Sequence, residues 1–104
     1  AMVAFPSMPA YCAAKGAVKM LSKCAAVEHA AEGIRVNSIC PGTIMTNITK
    51  QLPPEYIDKI IAANPAGRIA DPSEVGDLAV FLGSDESRFI TGTEVLIDGG
   101  YTAV

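Results

Sequence analysis

The sequence predicts an α/β fold in which helices cover an open parallel sheet. Three observations support this prediction: an alanine-rich helical stretch lies near the start, a second helix is signalled by Asp71-Pro72-Ser73-Glu74, and a short strand-like run follows each of them. Helices that alternate with strands are typical of parallel sheets. The chain has 104 residues, which suffices for one small domain but not for two.

The first helix is predicted from Pro9 to Ala31, because Pro is favoured in a first helical turn and Gly33 is a natural stop. Alanine occurs on several of its sides, which leaves one polar stripe, made of Lys15, Lys19, Ser22 and Lys23. A helix that is apolar around most of its girth is buried on two fronts. We expect one front to cover the sheet. Small outward residues such as Ala26 would face a partner helix or another part of the same protein.

A strand is predicted at Ile34–Cys40, where branched apolar and polar residues alternate before the turn residues Pro41 and Gly42. In an open parallel sheet, ligands bind just beyond the carboxyl ends of the strands. This turn is therefore a candidate binding element, although a Pro-Gly dipeptide by itself indicates only a turn.

Two further helices are predicted. Pro53-Pro54 opens a short one that continues through Ile61. The next has Asp71 as its N-cap, Pro at the first helical position, Glu74 at the third and Gly83 as its stop. The side chains that this helix is expected to carry inward are Val75, Leu78, Ala79 and Leu82.

The last strand is predicted at Glu94–Ile97, a run of apolar residues after a polar start. Asp98-Gly99-Gly100 follows it and turns the chain sharply, since glycine adopts backbone conformations that other residues avoid.

Tyr11 and Lys15 are four residues apart in the first helix, so they share one face, a turn apart. Lowering a tyrosine pKa from near 10 to about 7 takes roughly 4 kcal/mol of preference for the phenolate. A cation at about 4 Å supplies about 4 kcal/mol at an effective dielectric of about 20. The pair is therefore a candidate acid/base group for an alcohol or carbonyl oxygen, although such pairs usually indicate only a solvated helix face.

Three motifs, in order, resemble those of the short-chain dehydrogenase/reductase family. They are Tyr11-Cys-Ala-Ala-Lys15-Gly16-Ala17-Val18, Gly33-Ile-Arg-Val-Asn37-Ser-Ile-Cys-Pro41-Gly42-Thr-Ile44-Met-Thr46 and Ile97-Asp98-Gly99-Gly100. The resemblance implies that residues 1–104 are the carboxyl-terminal part of a single Rossmann-type domain with a doubly wound parallel sheet. It also implies that the amino-terminal nucleotide-binding half lies outside this chain.

The resemblance also assigns roles. Tyr11 and Lys15 would be catalytic and would also contact the cofactor, with Lys15 holding the nicotinamide ribose. Pro41 and Gly42 would shape the nicotinamide site, the backbone of Ile44 would meet the carboxamide, and the Thr46 hydroxyl would lie near the carboxamide or the pyrophosphate. Other expected roles are a structural asparagine at Asn37, a mobile substrate cover or a fixed surface helix within Met45–Pro65, and subunit contacts at Tyr101–Val104.

The implied activity is hydride transfer between NAD or NADP and an alcohol or ketone substrate, with a tyrosine as proton donor or acceptor. Family members that reduce enoyl substrates usually space the tyrosine and lysine more widely. The alternatives are a non-catalytic assembly module and a nucleotide-sugar epimerase or dehydratase of the extended family. No Gly-x-Gly-x-x-Gly loop is present, and the family's catalytic serine and asparagine would precede Ala1, so Ser7 is not assigned that role.

Composition limits the other possibilities. The net charge of -3 offers no basic surface for nucleic acid or anionic lipid, and no long uncharged apolar run indicates a membrane span. Three cysteines without a cluster predict small buried side chains, no metal site and a reducing, cytoplasmic setting. Homo-oligomers, dimers or tetramers built on the first helix, are implied by the resemblance.

Overall fold

The computed structural model describes residues 9–103; Ser7 and Val104 lie outside this range. It contains four α-helices, two β-strands and three short 3-10 turns within the described part. The helices are α1 (Pro9–His29), α2 (Asn47–Lys50), α3 (Pro54–Ala63) and α4 (Pro72–Gly83), the strands are β1 (Ser38–Pro41) and β2 (Glu94–Ile97), and the 3-10 turns are Ala30–Glu32, Asp85–Ser87 and Tyr101–Ala103.

The two strands lie side by side and run parallel, which confirms the predicted α/β class with a parallel sheet. Ser38 is paired with Glu94 at one end of the ladder and Pro41 with Ile97 at the other. Both strands therefore end at the same edge of the sheet. Past that edge, the chain makes one further parallel bridge, between Ile44 and Ala70.

The predicted start of the first strand at Ile34 is wrong, since β1 begins at Ser38. The preceding residues do not join the ladder; they contact the end of α4 and the loop before β2 through side chains and one backbone bond, from the Gly92 amide to the Val36 carbonyl. The guanidinium of Arg35 donates to the carbonyls of Leu82, Ser84 and Ile90 at 2.8–3.1 Å. Asn37 donates to the Ile90 carbonyl at 3.0 Å and accepts from the Thr93 amide at 3.2 Å, so it ties loops together as predicted.

Helix α1 is described from Pro9, and it ends at His29 and not at the predicted Ala31, because the chain tightens into a 3-10 turn before Gly33, which adopts φ 80°. The expectation that Ala26 points outward is wrong, because it is only 2% exposed. Lys23 donates to the carbonyl of Gly92 at 3.0 Å, and Lys19 pairs with Glu94 at 3.2 Å. The lysine stripe therefore marks the inner face of the helix, and Ala26 lies among these contacts.

Helix α4 has the predicted start. The Asp71 carboxylate accepts from the Ser73 amide at 2.9 Å, and the Glu74 carboxylate accepts from the Asp71 amide at 2.9 Å. Of the side chains expected inward, Leu82 is buried, whereas Ala79 is exposed. At the other end, the buried hydroxyl of Ser87 lies 2.8–3.1 Å from three carbonyl oxygens, those of Phe81, Leu82 and Ser84. Both ends of this helix are thus capped.

Much apolar surface stays uncovered. The accessible area is 7282 Å², against about 5,500 Å² for a compact monomer of this mass. The radius of gyration is 15.6 Å, against about 13 Å for a compact domain of this length. On α1, Leu21 is 71% and Val27 80% exposed. These faces are therefore available for contact with further protein surface.

The cysteines depart from the prediction in one respect. Cys24 is exposed, whereas Cys12 and Cys40 are half-buried. Within residues 9–103, no cluster of three His, Cys, Asp or Glu side chains could hold a metal ion. None of the helices in that range has the length and apolar character needed to cross a membrane.

Candidate functional site

Tyr11 and Lys15 lie on adjacent turns near the start of α1. The Lys15 ammonium lies 5.5 Å from the centroid of the Tyr11 ring, a cation–π distance. Tyr11 is 45% exposed. The helix spacing predicted from the sequence therefore places a phenol and an ammonium together, where a ligand can reach both.

The pair opens on a cleft of about 720 Å³ between α1, the carboxyl ends of the strands, and α3. A cleft of this size is in the range of small-molecule sites. Its lining from α1 and the first strand is Tyr11, Lys15, Val18, Lys19, Ser38, Ile39, Cys40, Pro41, Gly42 and Thr43. Its lining from the later segments is Tyr56, Lys59, Ile60, Ala63, Asn64, Glu94, Leu96, Asp98, Tyr101 and Thr102.

Pro41 and Gly42 form the end of β1 at the cleft wall. The amide of Gly42 continues the ladder by donating to the carbonyl of Ile97 at 3.0 Å. A β-carbon on Gly42 would lie 3.0 Å from the Cα and Cβ of Asp98, so the two chain segments approach closely only because this residue is glycine. Four of the predicted site residues, namely Tyr11, Lys15, Pro41 and Gly42, thus line one cleft.

Ile44 and Thr46 are not among the residues that line this cleft. The carbonyl of Ile44 accepts from the Thr46 amide at 2.9 Å and from the Thr49 hydroxyl at 2.8 Å. The Thr46 hydroxyl caps α2 by accepting from the Thr49 amide at 3.4 Å. The Ile44 carbonyl and the Thr46 hydroxyl are therefore engaged within the chain, and the cofactor contacts expected of these two residues stay predictions.

A polar cluster that the sequence analysis missed lies deeper in the cleft. The Cys40 thiol donates to one oxygen of Glu94 at 2.9 Å, and the Lys19 ammonium lies 3.2 Å from the other. The thiol and the ammonium hold the pKa of Glu94 low, at about 2, while burial and the same carboxylate raise the pKa of Cys40. Only the parallel register of the strands, with Ser38 opposite Glu94, indicates that these side chains meet.

The turn after β2 forms another part of the wall. The Asp98 carboxylate accepts from the Thr102 hydroxyl at 2.7 Å, the Thr102 amide at 3.1 Å and the Gly100 amide at 3.0 Å. These bonds, the Thr102 hydroxyl foremost, lower the pKa of Asp98. They also bring Tyr101 and Thr102 to the cleft. This end of the chain, expected at subunit contacts, thus also borders the candidate site.

A family model and a relative of known name both match this chain. A family model described as enoyl-(acyl carrier protein) reductase matches residues 1–102. Meso-2,3-butanediol dehydrogenase of Serratia marcescens is 45% identical over 89% of this chain and 37% of its own length. The relative and the family model thus both match most of the chain.

Two solved structures superpose closely. A short chain dehydrogenase family protein from Francisella tularensis subsp. tularensis SCHU S4 has a TM-score of 0.85 at 38% identity, over 98% of this chain and 47% of its own. A 4-hydroxyisoleucine dehydrogenase complexed with NADH has a TM-score of 0.92 at 36% identity, over 99% and 43%. These superpositions confirm the Rossmann-type fold class. The chain spans less than half the length of each of these proteins.

Proposed function

Because the chain belongs to the short-chain dehydrogenase/reductase family, we propose that the protein containing it is an NAD- or NADP-dependent oxidoreductase that interconverts an alcohol and a ketone. The observation that carries the proposal is the Tyr11–Lys15 pair, with the ammonium 5.5 Å from the ring centroid and both side chains open to the cleft. A relative that is a diol dehydrogenase and a neighbour complexed with NADH support the proposed substrate class and cofactor.

Tyr11 carries the proton in this mechanism. When bound, the nicotinamide ring supplies the hydride to the substrate carbon or accepts it. In reduction the Tyr11 hydroxyl donates a proton to the developing alkoxide, and in oxidation the phenolate accepts the proton of the alcohol. Lys15 lies beside the group that exchanges this proton, with its ammonium 5.5 Å from the centroid of the Tyr11 ring.

The cleft fits the nicotinamide end of the cofactor. Its volume of about 720 Å³ accommodates a ring and a ribose beside a small substrate, and Lys15 lies where it could donate to ribose hydroxyls. Pro41 and Gly42 would lie against the ring, and the Ile44 backbone and Thr46 remain the proposed partners of the carboxamide. The diphosphate and the adenosine would be held by a glycine-rich loop, which this sequence does not contain.

The spacing within the pair bears on the substrate. The matching family model is described as an enoyl reductase, but Tyr11 and Lys15 are separated by three residues, the spacing that resembles the alcohol and ketone enzymes of the family. We therefore place the protein with the alcohol and ketone enzymes.

The test uses the full-length protein with a panel of secondary alcohols and ketones. Tyr11→Phe is expected to lower kcat at least about 100-fold, while the dissociation constant of the cofactor, measured by fluorescence titration, changes little because only a hydroxyl is removed. Lys15→Met should impair both quantities. Lys50→Met, which removes an exposed lysine outside the cleft, is the matched control. Retention of more than about a tenth of the rate by Tyr11→Phe would rule out acid/base catalysis by this residue.

A non-catalytic assembly module is the second candidate, favoured by one observation. The outer face of α1 exposes large apolar side chains, Leu21 and Val27 among them, which suits a contact surface. The sequence of the gene upstream of this region discriminates between the two. A glycine-rich loop after a first strand supports the enzyme, and its absence supports the module.

A further inference from the structure

Helix α3 turns one face toward the cleft. Tyr56, Lys59, Ile60 and Ala63 all line it. Their spacing of three, four and seven residues from Tyr56 places them on a single side of the helix. Tyr11 lines the same cleft. The side chains on this face of α3 therefore bear directly on which ligand the cleft accepts.

Tyr56 and Lys59 form a second phenol–ammonium pair in the same cleft. The Lys59 ammonium lies 5.8 Å from the centroid of the Tyr56 ring, close to the 5.5 Å found for Lys15 and Tyr11. Attraction between a cation and the face of an aromatic ring holds such an ammonium in place without neutralising it. Lys59 thus presents a full positive charge from a fixed position on α3.

Of the other charged groups of the cleft lining, Lys15 lies against the Tyr11 ring, and Lys19, Glu94 and Asp98 have partners within the chain. Glu94 is paired with Lys19 at 3.2 Å. The Asp98 carboxylate accepts hydrogen bonds from Thr102 and Gly100. Lys59 makes no ion pair with any carboxylate in residues 9–103. The cleft face of α3 therefore carries a lysine that has no ion-pair partner within residues 9–103, next to the apolar side chains Ile60 and Ala63.

We infer that Lys59, held by Tyr56, recognises an anionic group of the substrate, so that the protein acts on hydroxy or keto compounds that carry a carboxylate or a similar anion on a short apolar body. This inference rests on the proposed function, because it assigns the reacting oxygen to Tyr11 and the anion to α3. An ammonium that binds a carboxylate forms a charge-assisted hydrogen bond, which is stronger than a neutral one. Ile60 and Ala63 would contact the carbon chain between the two groups.

The experiment compares matched substrates on the full-length protein with its cofactor. The probes are short 3-hydroxy acids, each paired with its methyl ester, so that members of a pair differ mainly in charge. The wild-type protein is expected to prefer the acid in kcat/KM. Lys59→Gln should lower the acid-to-ester ratio about tenfold or more, chiefly through a higher KM for the acid, and Lys59→Arg should retain most of the ratio.

Lys50→Gln is the control, since Lys50 is exposed and lies outside the cleft, and it should leave the ratio at the wild-type value. The inference is overturned if the wild-type protein shows no preference for the acid, or if Lys59→Gln keeps that preference. It is also overturned if Lys59→Gln raises the KM of the cofactor with no change in the ratio, because the anion would then be the cofactor diphosphate.

A binding measurement separates this inference from the proposed function. Isothermal titration calorimetry at saturating cofactor measures the affinity of the protein for the acids and the esters. It detects binding through Lys59 even if the protein does not turn these compounds over. Loss of acid binding in Lys59→Gln supports the anion site whatever the chemistry. If the Tyr11→Phe protein retains its rate, the proposed function is refuted. The calorimetric evidence for an anion site at Lys59 does not depend on that result.

Discussion

Gly42 and Asp98 approach so closely that a β-carbon on Gly42 would lie 3.0 Å from both Cα and Cβ of Asp98. The contact joins the carboxyl ends of the two parallel strands, where the Gly42 amide donates to the Ile97 carbonyl. It fixes the position of Pro41 and Gly42 in the cleft wall relative to the turn that carries Tyr101 and Thr102.

The first prediction concerns this contact. Gly42→Ala should destabilise the full-length protein by about 1–3 kcal/mol, because the added methyl meets backbone and not the end of a flexible side chain. Gly76→Ala is the control, since a β-carbon there meets nothing within 4 Å, and alanine should stabilise the helix by about 0.5–1 kcal/mol. Urea unfolding followed by circular dichroism gives both values. Equal stability of Gly42→Ala and wild type would contradict the close approach.

The second prediction concerns the start of α4. Hydrogen bonds from Arg68 and from the Asp71 backbone lower the pKa of Glu74 to about 2, below its ordinary value of 4.5. A carboxyl whose pKa is lower in the folded state stabilises the fold above its unfolded pKa, and this contribution is lost as pH falls from about 4.5 towards about 2. Glu74→Gln should therefore destabilise the protein at pH 7, and the difference from wild type should shrink below about pH 4.5.

Thermal unfolding across that pH range measures the difference. Glu86→Gln is the control for the second prediction, because Glu86 makes no ion pair within residues 9–103. A gap between wild type and Glu74→Gln that stays constant from pH 7 to pH 3 would show that the carboxylate does not act through its charge.

The third prediction concerns the 104-residue chain on its own. We expect it to bind no NAD(H) or NADP(H) with useful affinity, because its sequence contains no glycine-rich loop to cradle a diphosphate. Isothermal titration calorimetry on the isolated chain measures this, with the full-length protein as the positive control. Micromolar binding by the 104-residue chain would mean that the residues around the cleft suffice to hold the cofactor.

The fourth prediction is that the full-length protein is a dimer or tetramer built partly on α1. Ala17 is exposed beside Leu21, so a second helix can approach there closely. Ala17→Arg should dissociate the assembly, as measured by light scattering, while circular dichroism shows that the fold is retained. Ala62→Arg, at an exposed position of α3 outside the cleft, is the matched control. A wild-type protein that is monomeric at micromolar concentration would refute the prediction.

Local signals in the sequence predicted both ends of α4 and the proximity of Tyr11 and Lys15. The capping residues Asp71 and Glu74 and the stop at Gly33 act within a few residues of the helix that they bound. The pairing of Tyr11 with Lys15 depends only on the helical repeat. These features therefore needed no knowledge of the rest of the fold.

Tertiary structure alone decided which side of α1 faces the sheet and what surrounds the cleft. The sequence identifies the polar stripe but not what it faces, and the structure shows that Lys19 binds Glu94 on a strand far along the chain. The burial of Ala26 depends on the loop around Gly92, and the bond from Cys40 to Glu94 depends on β1 and β2 lying side by side. Contacts of this kind form only when separate elements pack together. The spacing of residues within one helix or strand therefore cannot predict them.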